Sequence, residues 1–290
     1  MTARRPVTCR TPAVKKPSPQ RKRAAVPNRN SSPKRTVVVP ASARPRRGAP
    51  NGKAVVPRFV EVRLDRPTLG LFMELETFVL DHGRRRVFDA VRSALGQAGF
   101  DLTPQIFARM ALGSGVGRYV PSLLSFLKVR FASQARIGVQ VETAVRRAVC
   151  SEPRVRAGLI PLLQRARGRG IRVVAVSLLD AESAGHVAGA TGLTALGVET
   201  VVADAWRARP SPENVLARTL ERLRLPSGAC VALVTCAAAT ESALCAGLRV
   251  LALPDEFTSF QPFTGADEIL DTWNPEAVQS FLGLDRGEQG

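Results

Sequence analysis

The chain has 290 residues, 45% of them hydrophobic, and a formal net charge of +18 at pH 7. This length is enough for one large hydrophobic core or two smaller ones, and no apolar run reaches the roughly 20 residues of a membrane span. Two histidines, and five cysteines without Cys-x-x-Cys spacing, argue against histidine-based metal sites and zinc sites. We therefore expect a globular protein with reduced, buried thiols and no membrane segment.

The positive charge is concentrated at the start of the chain. Residues 1–57 carry fifteen Lys or Arg, ten Pro and no Asp or Glu, which leaves 27 basic and 24 acidic side chains for the rest. Such a segment cannot bury enough apolar surface to offset its conformational entropy, so it is predicted to be a disordered, basic, Pro-rich tail. Three interpretations stay open: an arm for nucleic acid or another polyanion, an organelle transit peptide, and a solubilising tail.

For a nucleic-acid-binding arm, the candidate contact residues are Lys34, Arg35, Arg46 and Arg47. Ser32-Pro33-Lys34-Arg35 resembles the Ser-Pro-basic-basic repeats of histone tails, and cationic side chains bind phosphates without sequence preference. No apolar stretch near the start resembles a secretion signal. The expected location is therefore the cytoplasm, or an organelle if the tail is a transit peptide.

From residue 67 onward, apolar runs alternate with helical patterns. A first strand is predicted at 68–73, and only helical patterns occupy residues 82–156. Further strands are predicted at residues 171–176, 200–203, 230–234, 249–253 and 269–270, with helices between them. Ser211 is predicted to cap the helix that presents Val215 and Leu216, and Gly247 to end the helix at 240–246. Continuous apolar strands alternating with helices indicate a parallel sheet covered on both faces, with strand 68–73 at its centre.

The segment after the first predicted strand carries the most informative motif. It is Glu74-Leu75-Glu76-Thr77-Phe78-Val79-Leu80-Asp81. This segment resembles the Asp-x-Asp-Gly-Thr-Leu-x-Asp motif of haloacid dehalogenase-like hydrolases. Glutamate replaces both leading aspartates, and Thr77-Phe78 replaces Gly-Thr, which removes a glycine that allows close backbone approach.

Further motifs follow in the order found in the phosphoglycolate and sugar-phosphate phosphatase branch with a helical cap. They are Gly113-Ser114-Gly115-Val116-Gly117 as a cap loop, Arg209-Pro210-Ser211-Pro212-Glu213, Ala246-Gly247-Leu248-Arg249-Val250 and Phe263-Thr264-Gly265-Ala266-Asp267. Because the glycine run follows a helix and not a strand, a dinucleotide site is not expected there. The resemblance covers about residues 68–283. It implies an α/β fold with a Rossmann-like parallel sheet from residues 58–83 and 157–290, and an all-helical cap at residues 84–156.

The resemblance also assigns roles to individual side chains. In these hydrolases the first aspartate attacks the phosphate and the second is general acid and base, which places Glu74 and Glu76 in these roles. Ser177 and Arg209 fall where a hydroxyl and a lysine hold the phosphoryl oxygens. Each glutamate is one methylene longer than aspartate, and a displacement of order 1 Å can cost about a hundredfold in rate.

The magnesium site of the family is the point at which this sequence departs most. The acidic residues expected after the fourth strand are replaced by Val234-Thr235. A hard cation such as Mg²⁺ needs oxygen ligands, usually one or two carboxylates, and only Glu74 remains. The sequence therefore predicts an incomplete metal site and no cofactor, with Mg²⁺ as the cofactor if the protein is active.

Two functions follow from these residues. The first is a pseudoenzyme that has lost phosphatase activity and serves a binding or scaffolding role, with a basic tail for nucleic acid or another polyanion. The alternative is a magnesium-dependent phosphatase acting on a small phosphorylated metabolite, with Glu74 as an unusual nucleophile. A phosphorylated small molecule is a candidate partner in both cases, and no membrane contact is expected.

Overall fold

The structure is a computed structural model that describes residues 67–206 and 214–285. The predicted tail and Arg209 lie outside these residues. The strands are β1 (Gly70–Glu74), β2 (Arg172–Ser177), β3 (Glu199–Val202), β4 (Cys230–Val234), β5 (Arg249–Ala252) and β6 (Glu268–Ile269). The helices are α1 (Gly83–Gln97), α2 (Pro104–Met110), α3 (Val116–Phe126), α4 (Phe131–Cys150), α5 (Leu159–Gly168), α6 (Ala181–Ala190), α7 (Val215–Leu223), α8 (Ala237–Cys245) and α9 (Pro275–Leu282).

The six strands form one sheet in the order β3-β2-β1-β4-β5-β6, and all neighbours are parallel. Gly70 pairs with Arg172 on one side and with Cys230 on the other, which places β1 inside the sheet between β2 and β4. The predicted α/β fold and the position of the first strand are confirmed. Predicted strand boundaries differ from the observed ones by at most two residues, and those of β4 agree at both ends.

Both faces of the sheet are covered, because successive side chains of a strand point to opposite faces. Leu71 and Met73 pack into a core that includes residues of α5, α6 and α9, whereas Phe72 packs into a second core with residues of α7 and α8. Every residue of β1 is buried. This explains why the strands appear in the sequence as continuous apolar runs and not as alternating ones.

Five helices, α1 to α5, lie between β1 and β2 in the chain, and the first four of them fall within residues 82–156. Within residues 82–156 the structure has no strand, apart from single bridges at Ser114 and Val155. Aromatic side chains connect these helices to the loop that follows β5. The Phe88 ring of α1 lies 5.3 Å from the Phe107 ring of α2 and 5.1 Å from the ring of Phe257 in that loop. The prediction of a purely helical stretch in this part of the chain is confirmed.

The start of α7 corrects a sequence prediction. Its N-cap is Asn214, whose side-chain oxygen accepts from the amides of Leu216 at 3.0 Å and Ala217 at 3.2 Å, so the prediction of Ser211 as the cap is wrong. Asn214 is preferred because its amide group also donates to the Ser242 carbonyl at 3.0 Å, which ties α7 to α8. Gly247 does follow α8 with a left-handed φ of 78°, as predicted.

Two further expectations concern the burial of the cysteine thiols and the absence of a membrane-spanning helix. Cys150, Cys230, Cys236 and Cys245 are all free. Cys230 and Cys236 are buried, but Cys245 is exposed, so the expectation of buried thiols is wrong for that residue. Across residues 67–206 and 214–285, no helix is both long and apolar enough to cross a membrane.

Candidate active site

Polar side chains from three strands meet at the carboxyl-end edge of the sheet. Glu74 is the last residue of β1, Ser177 is the last residue of β2, and Thr235 directly follows β4. Because β1 lies between β2 and β4 and all three are parallel, their ends lie side by side. Glu74 is only 4% exposed and Glu76 only 6%, so this group of side chains is closed to bulk solvent.

A single π-helical turn, Leu75–Val79, directly follows Glu74 and contains Glu76. The Thr77 hydroxyl donates to the Glu74 carboxylate within this turn. Glu76 points towards the end of β2. A β-carbon added to Gly83 would lie 1.7 Å from the Glu76 carbonyl oxygen, so only glycine lets α1 begin this close to the turn.

Both oxygens of the Glu74 carboxylate accept hydrogen bonds. Its Oε1 accepts from the backbone amide of Thr235 at 2.6 Å, and its Oε2 accepts from the Thr235 hydroxyl at 3.0 Å as well as from Thr77. In the sequence, Thr235 stands out only because Val234-Thr235 replaces the acidic residues expected after the fourth strand. In the fold it is the main partner of the carboxylate that resembles the nucleophile.

Arg84, in the first turn of α1, adds a buried positive charge beside Glu74. One terminal nitrogen of its guanidinium lies 3.8 Å from Glu74 Oε2 and donates to the Thr235 hydroxyl. The other terminal nitrogen lies 3.5 Å from the Thr235 carbonyl oxygen, and Nε lies 3.2 Å from Asp255 Oδ2. The guanidinium therefore contacts two carboxylates and both oxygens of Thr235.

Glu76 is bound to the end of β2. The Ser177 hydroxyl donates to Glu76 Oε1, and the Leu178 amide donates to Oε2 at 3.3 Å. Burial raises the pKa of Glu76 to about 7, although the hydrogen bonds from Ser177 and Leu178 act in the opposite direction. The Ser177 hydroxyl, which the resemblance assigns to a phosphate, thus donates to a carboxylate of the protein itself.

The glycine-bearing segment 113–117 packs against this edge of the sheet. Trp206 donates its amide to the Gly113 carbonyl at 2.8 Å, and Gly115 donates to the Asp204 carbonyl at 2.7 Å. A β-carbon on Gly115 would lie 2.7 Å from the Leu178 carbonyl oxygen. The segment therefore lies across the ends of β2 and β3, where the expected cap loop would be.

Thr77 and Phe78, which replace Gly-Thr, have structural contacts in this turn. Arg156 donates through Nε to the Phe78 carbonyl at 2.8 Å, and its guanidinium lies 5.4 Å from the Phe78 ring and 5.7 Å from the Trp273 ring. The Phe78 and Trp273 rings meet edge to face at 5.4 Å. Phe78 thus fills a core position behind the turn.

The residues present do not fit a divalent metal ion. Within the part of the chain that the structure describes, no three or more His, Cys, Asp or Glu side chains are grouped so that they could hold one. The two carboxylates nearest to the expected position, Glu74 and Asp255, both lie against the Arg84 guanidinium. A cation at this position would have to displace that guanidinium.

The structure brings together three of the residues predicted from sequence, Glu74, Glu76 and Ser177. Arg209, predicted to bind phosphate, lies outside the described residues. Arg84 and Asp255 were missed by the sequence analysis. Three consecutive arginines, Arg84 to Arg86, open α1, and no sequence signal shows which of them turns inward.

Comparisons with known proteins place this geometry among phosphatase-like folds. No known family model matches the chain. Protein CbbY of Rhodobacter capsulatus is 31% identical over 131 residues, which are 44% of this chain and 57% of that protein. The chain thus spans little more than half the length of the curated relative it matches.

Solved structures of similar fold cover nearly three quarters of this chain. CbbY of Rhodobacter sphaeroides, in complex with phosphate, matches 71% of this chain and 94% of its own, with a TM-score of 0.58 and 19% identity. A predicted phosphoglycolate phosphatase of Haemophilus somnus covers 73% and 97%, with a TM-score of 0.61 and 13% identity. A β-phosphoglucomutase of Clostridium difficile covers 74% and 97%, with a TM-score of 0.57 and 14% identity.

These structures are phosphatases and related enzymes of the haloacid dehalogenase-like superfamily. Their similarity, the strand order and the inserted helices confirm the resemblance seen in the motifs: this chain has the haloacid dehalogenase-like fold and is related in sequence to protein CbbY.

Proposed function

We propose that this chain is a haloacid dehalogenase-like domain that does not hydrolyse phosphate esters and serves a binding or scaffolding role. The observation that carries the proposal is the set of hydrogen bonds that the Glu74 carboxylate accepts. Both of its carboxylate oxygens accept hydrogen bonds from Thr235, and the Thr77 hydroxyl adds another. A nucleophile needs an oxygen that can approach phosphorus in line. Here both Glu74 oxygens are held by these donors, and the side chain is only 4% exposed.

Glu76 supports the same conclusion. A general acid and base must reach the leaving group of a substrate, but this carboxylate is bound to Ser177 and Leu178. A phosphate entering at these donors would have to displace a buried carboxylate. Repulsion between a phosphate and a nearby carboxylate would oppose that step.

The ligand class is proposed from the relatives and from the charge of the chain. CbbY of Rhodobacter sphaeroides has been solved with phosphate and with xylulose-1,5-bisphosphate. We infer that a phosphorylated small molecule is the ligand class for this chain as well, if the site opens. The fifteen cations of residues 1–57 support a second contact, with nucleic acid or another polyanion.

The alternative function is a magnesium-dependent phosphatase with Glu74 as nucleophile. The fold and the retention of carboxylates at positions 74 and 76 favour this alternative. It requires that Thr235, Thr77 and Arg84 release Glu74 when substrate and metal bind. It therefore predicts turnover that depends on Mg²⁺ and is abolished by Glu74→Gln.

A screen of small phosphate esters with purified full-length protein separates the two functions. Each ester is tested with Mg²⁺ and with EDTA, and Glu74→Gln is the matched variant. We expect any residual hydrolysis to be the same in the wild type and in Glu74→Gln, since it would come from contaminants. Robust hydrolysis by the wild type that Glu74→Gln removes would establish the alternative.

A further inference from the structure

The Arg84 guanidinium is a buried cation surrounded by oxygen atoms. It is 4% exposed, and it contacts the Glu74 and Asp255 carboxylates together with the carbonyl and hydroxyl oxygens of Thr235. These groups come from three separate segments, the ends of β1 and β4 and the loop after β5. Arg84 therefore holds together the edge of the sheet at which the candidate site lies.

The oxygen set around Arg84 has the composition that a hard divalent cation prefers. It contains two carboxylates, one carbonyl oxygen and one hydroxyl, and Mg²⁺ and Ca²⁺ bind such oxygen ligands. A buried carboxylate such as Glu74 also needs a countercharge, because an unpaired charge in the interior is strongly unfavourable. In this chain the countercharge to Glu74 is the Arg84 guanidinium, which is part of the protein itself.

We propose that Arg84 is the permanent cation of this site and occupies the place that a divalent metal ion would take. The proposal deepens the proposed function and rests on it, since a site filled by a side chain has no room for the metal. It implies that the wild-type site binds no divalent cation. It further implies that removing the guanidinium uncovers a latent cation site formed by Glu74, Asp255 and Thr235.

Arg85 provides the matched control, because it is adjacent in sequence but outside the site. It donates to Glu256 and lies 5.1 Å from the Phe257 ring, and its side chain is 42% exposed. Arg85→Ala therefore removes the same chemical group from the same helix. It removes no direct contact to the oxygen atoms around Arg84.

The test measures thermal stability of the full chain in EDTA and in millimolar Mg²⁺ or Ca²⁺. The wild type and Arg85→Ala should show no change in Tm beyond that caused by a matched monovalent salt. Arg84→Ala should be less stable in EDTA and should regain stability with the divalent ion, by about 5 °C or more at about 100 times the dissociation constant. Adding Asp255→Asn to Arg84→Ala should abolish this gain, because one carboxylate is lost.

Arg84→Ala has two buried carboxylates without a partner and can fail to fold in EDTA. In that case, the yield of folded protein after refolding with and without Mg²⁺ or Ca²⁺ provides the same comparison. Arg84→Lys gives a second measure, since it keeps a positive charge and should fold without responding to divalent ions.

Stabilisation of the wild type by Mg²⁺, or the absence of any divalent effect on Arg84→Ala by both measurements, would overturn the proposal. The phosphatase screen can contradict the proposed function without contradicting the proposal for Arg84. Hydrolysis by the wild type that persists in EDTA and that Glu74→Gln removes would contradict the proposed function while leaving Arg84 as the resident cation. Hydrolysis that requires Mg²⁺ would contradict both.

Discussion

The Glu76 carboxylate accepts a hydrogen bond from the buried hydroxyl of Ser177, across the adjacent ends of β1 and β2. The same carboxylate also accepts from the backbone amide that follows Ser177. A hydroxyl and an amide that point to one place form an anion site. In this protein the anion is supplied by its own chain, which makes the site self-occupied.

Removing this carboxylate should open the anion site. We expect Glu76→Ala to bind inorganic phosphate at least about tenfold more tightly than the wild type, because two donors lose their partner and one negative charge is lost. Isothermal titration calorimetry at constant pH measures the difference. The control is Glu76→Ala combined with Ser177→Ala, which should lose most of the gain. Equal phosphate affinity in the wild type and Glu76→Ala would show that these donors are not accessible to a ligand.

The raised pKa of Glu76 predicts a specific dependence of stability on pH. Burial raises its pKa from 4.5 to about 7, so the folded state binds the proton more tightly than the unfolded chain does. The stabilising contribution is therefore complete below about pH 4.5 and is lost as the pH rises through 7. A shift of this size corresponds to about 3 kcal/mol in the free energy of unfolding.

Urea unfolding of the wild type and of Glu76→Gln across this pH range measures the contribution. The stability difference between them should change by about 3 kcal/mol in favour of Glu76→Gln as the pH rises. Glu268→Gln is a control, because Glu268 is exposed in β6. Parallel pH profiles for the wild type and Glu76→Gln would contradict the assignment of the raised pKa.

Gly83 should tolerate no side chain. Its added β-carbon would lie 1.7 Å from the Glu76 carbonyl oxygen, so the start of α1 would have to move. We expect Gly83→Ala to lower the free energy of unfolding by at least about 2–3 kcal/mol. Gly96→Ala, in the same helix with no atom within 4 Å of the new β-carbon, should instead add about 0.5–1 kcal/mol. Chemical denaturation of both variants decides this, and a similar effect at the two positions would refute the close contact.

The basic tail should bind nucleic acid weakly and without sequence preference. Its fifteen cations would act mainly by releasing counterions, so that six phosphate contacts would lose about a thousandfold in affinity between about 50 and 200 mM salt. Fluorescence anisotropy compares the full chain with a chain that begins at Arg58, which should bind far less. Equal binding by both chains would contradict an arm function. Absence of the tail from protein isolated from its host would favour the transit-peptide interpretation.

The α/β architecture and the ends of its central strands are predictable from the amino-acid sequence. Apolar, β-branched runs separated by helical patterns identify buried parallel strands whatever their partners. The carboxyl ends of such strands lie along one edge of the sheet, so Glu74 and Ser177 could be placed together from their positions alone. The replacement of an acidic pair by Val234-Thr235 was likewise visible in the residues.

The side chains that fill the site, by contrast, are known only from the folded chain. Arg84, Arg85 and Arg86 are equivalent in sequence, but in the fold only Arg84 is buried and contacts Glu74 and Asp255. Arg85 instead pairs with Glu256, and Arg86 with carbonyl groups after α4. Asp255 reaches the site from a loop far along the chain. Which donors and charges meet there depends on long-range packing, for which local residue patterns carry no signal.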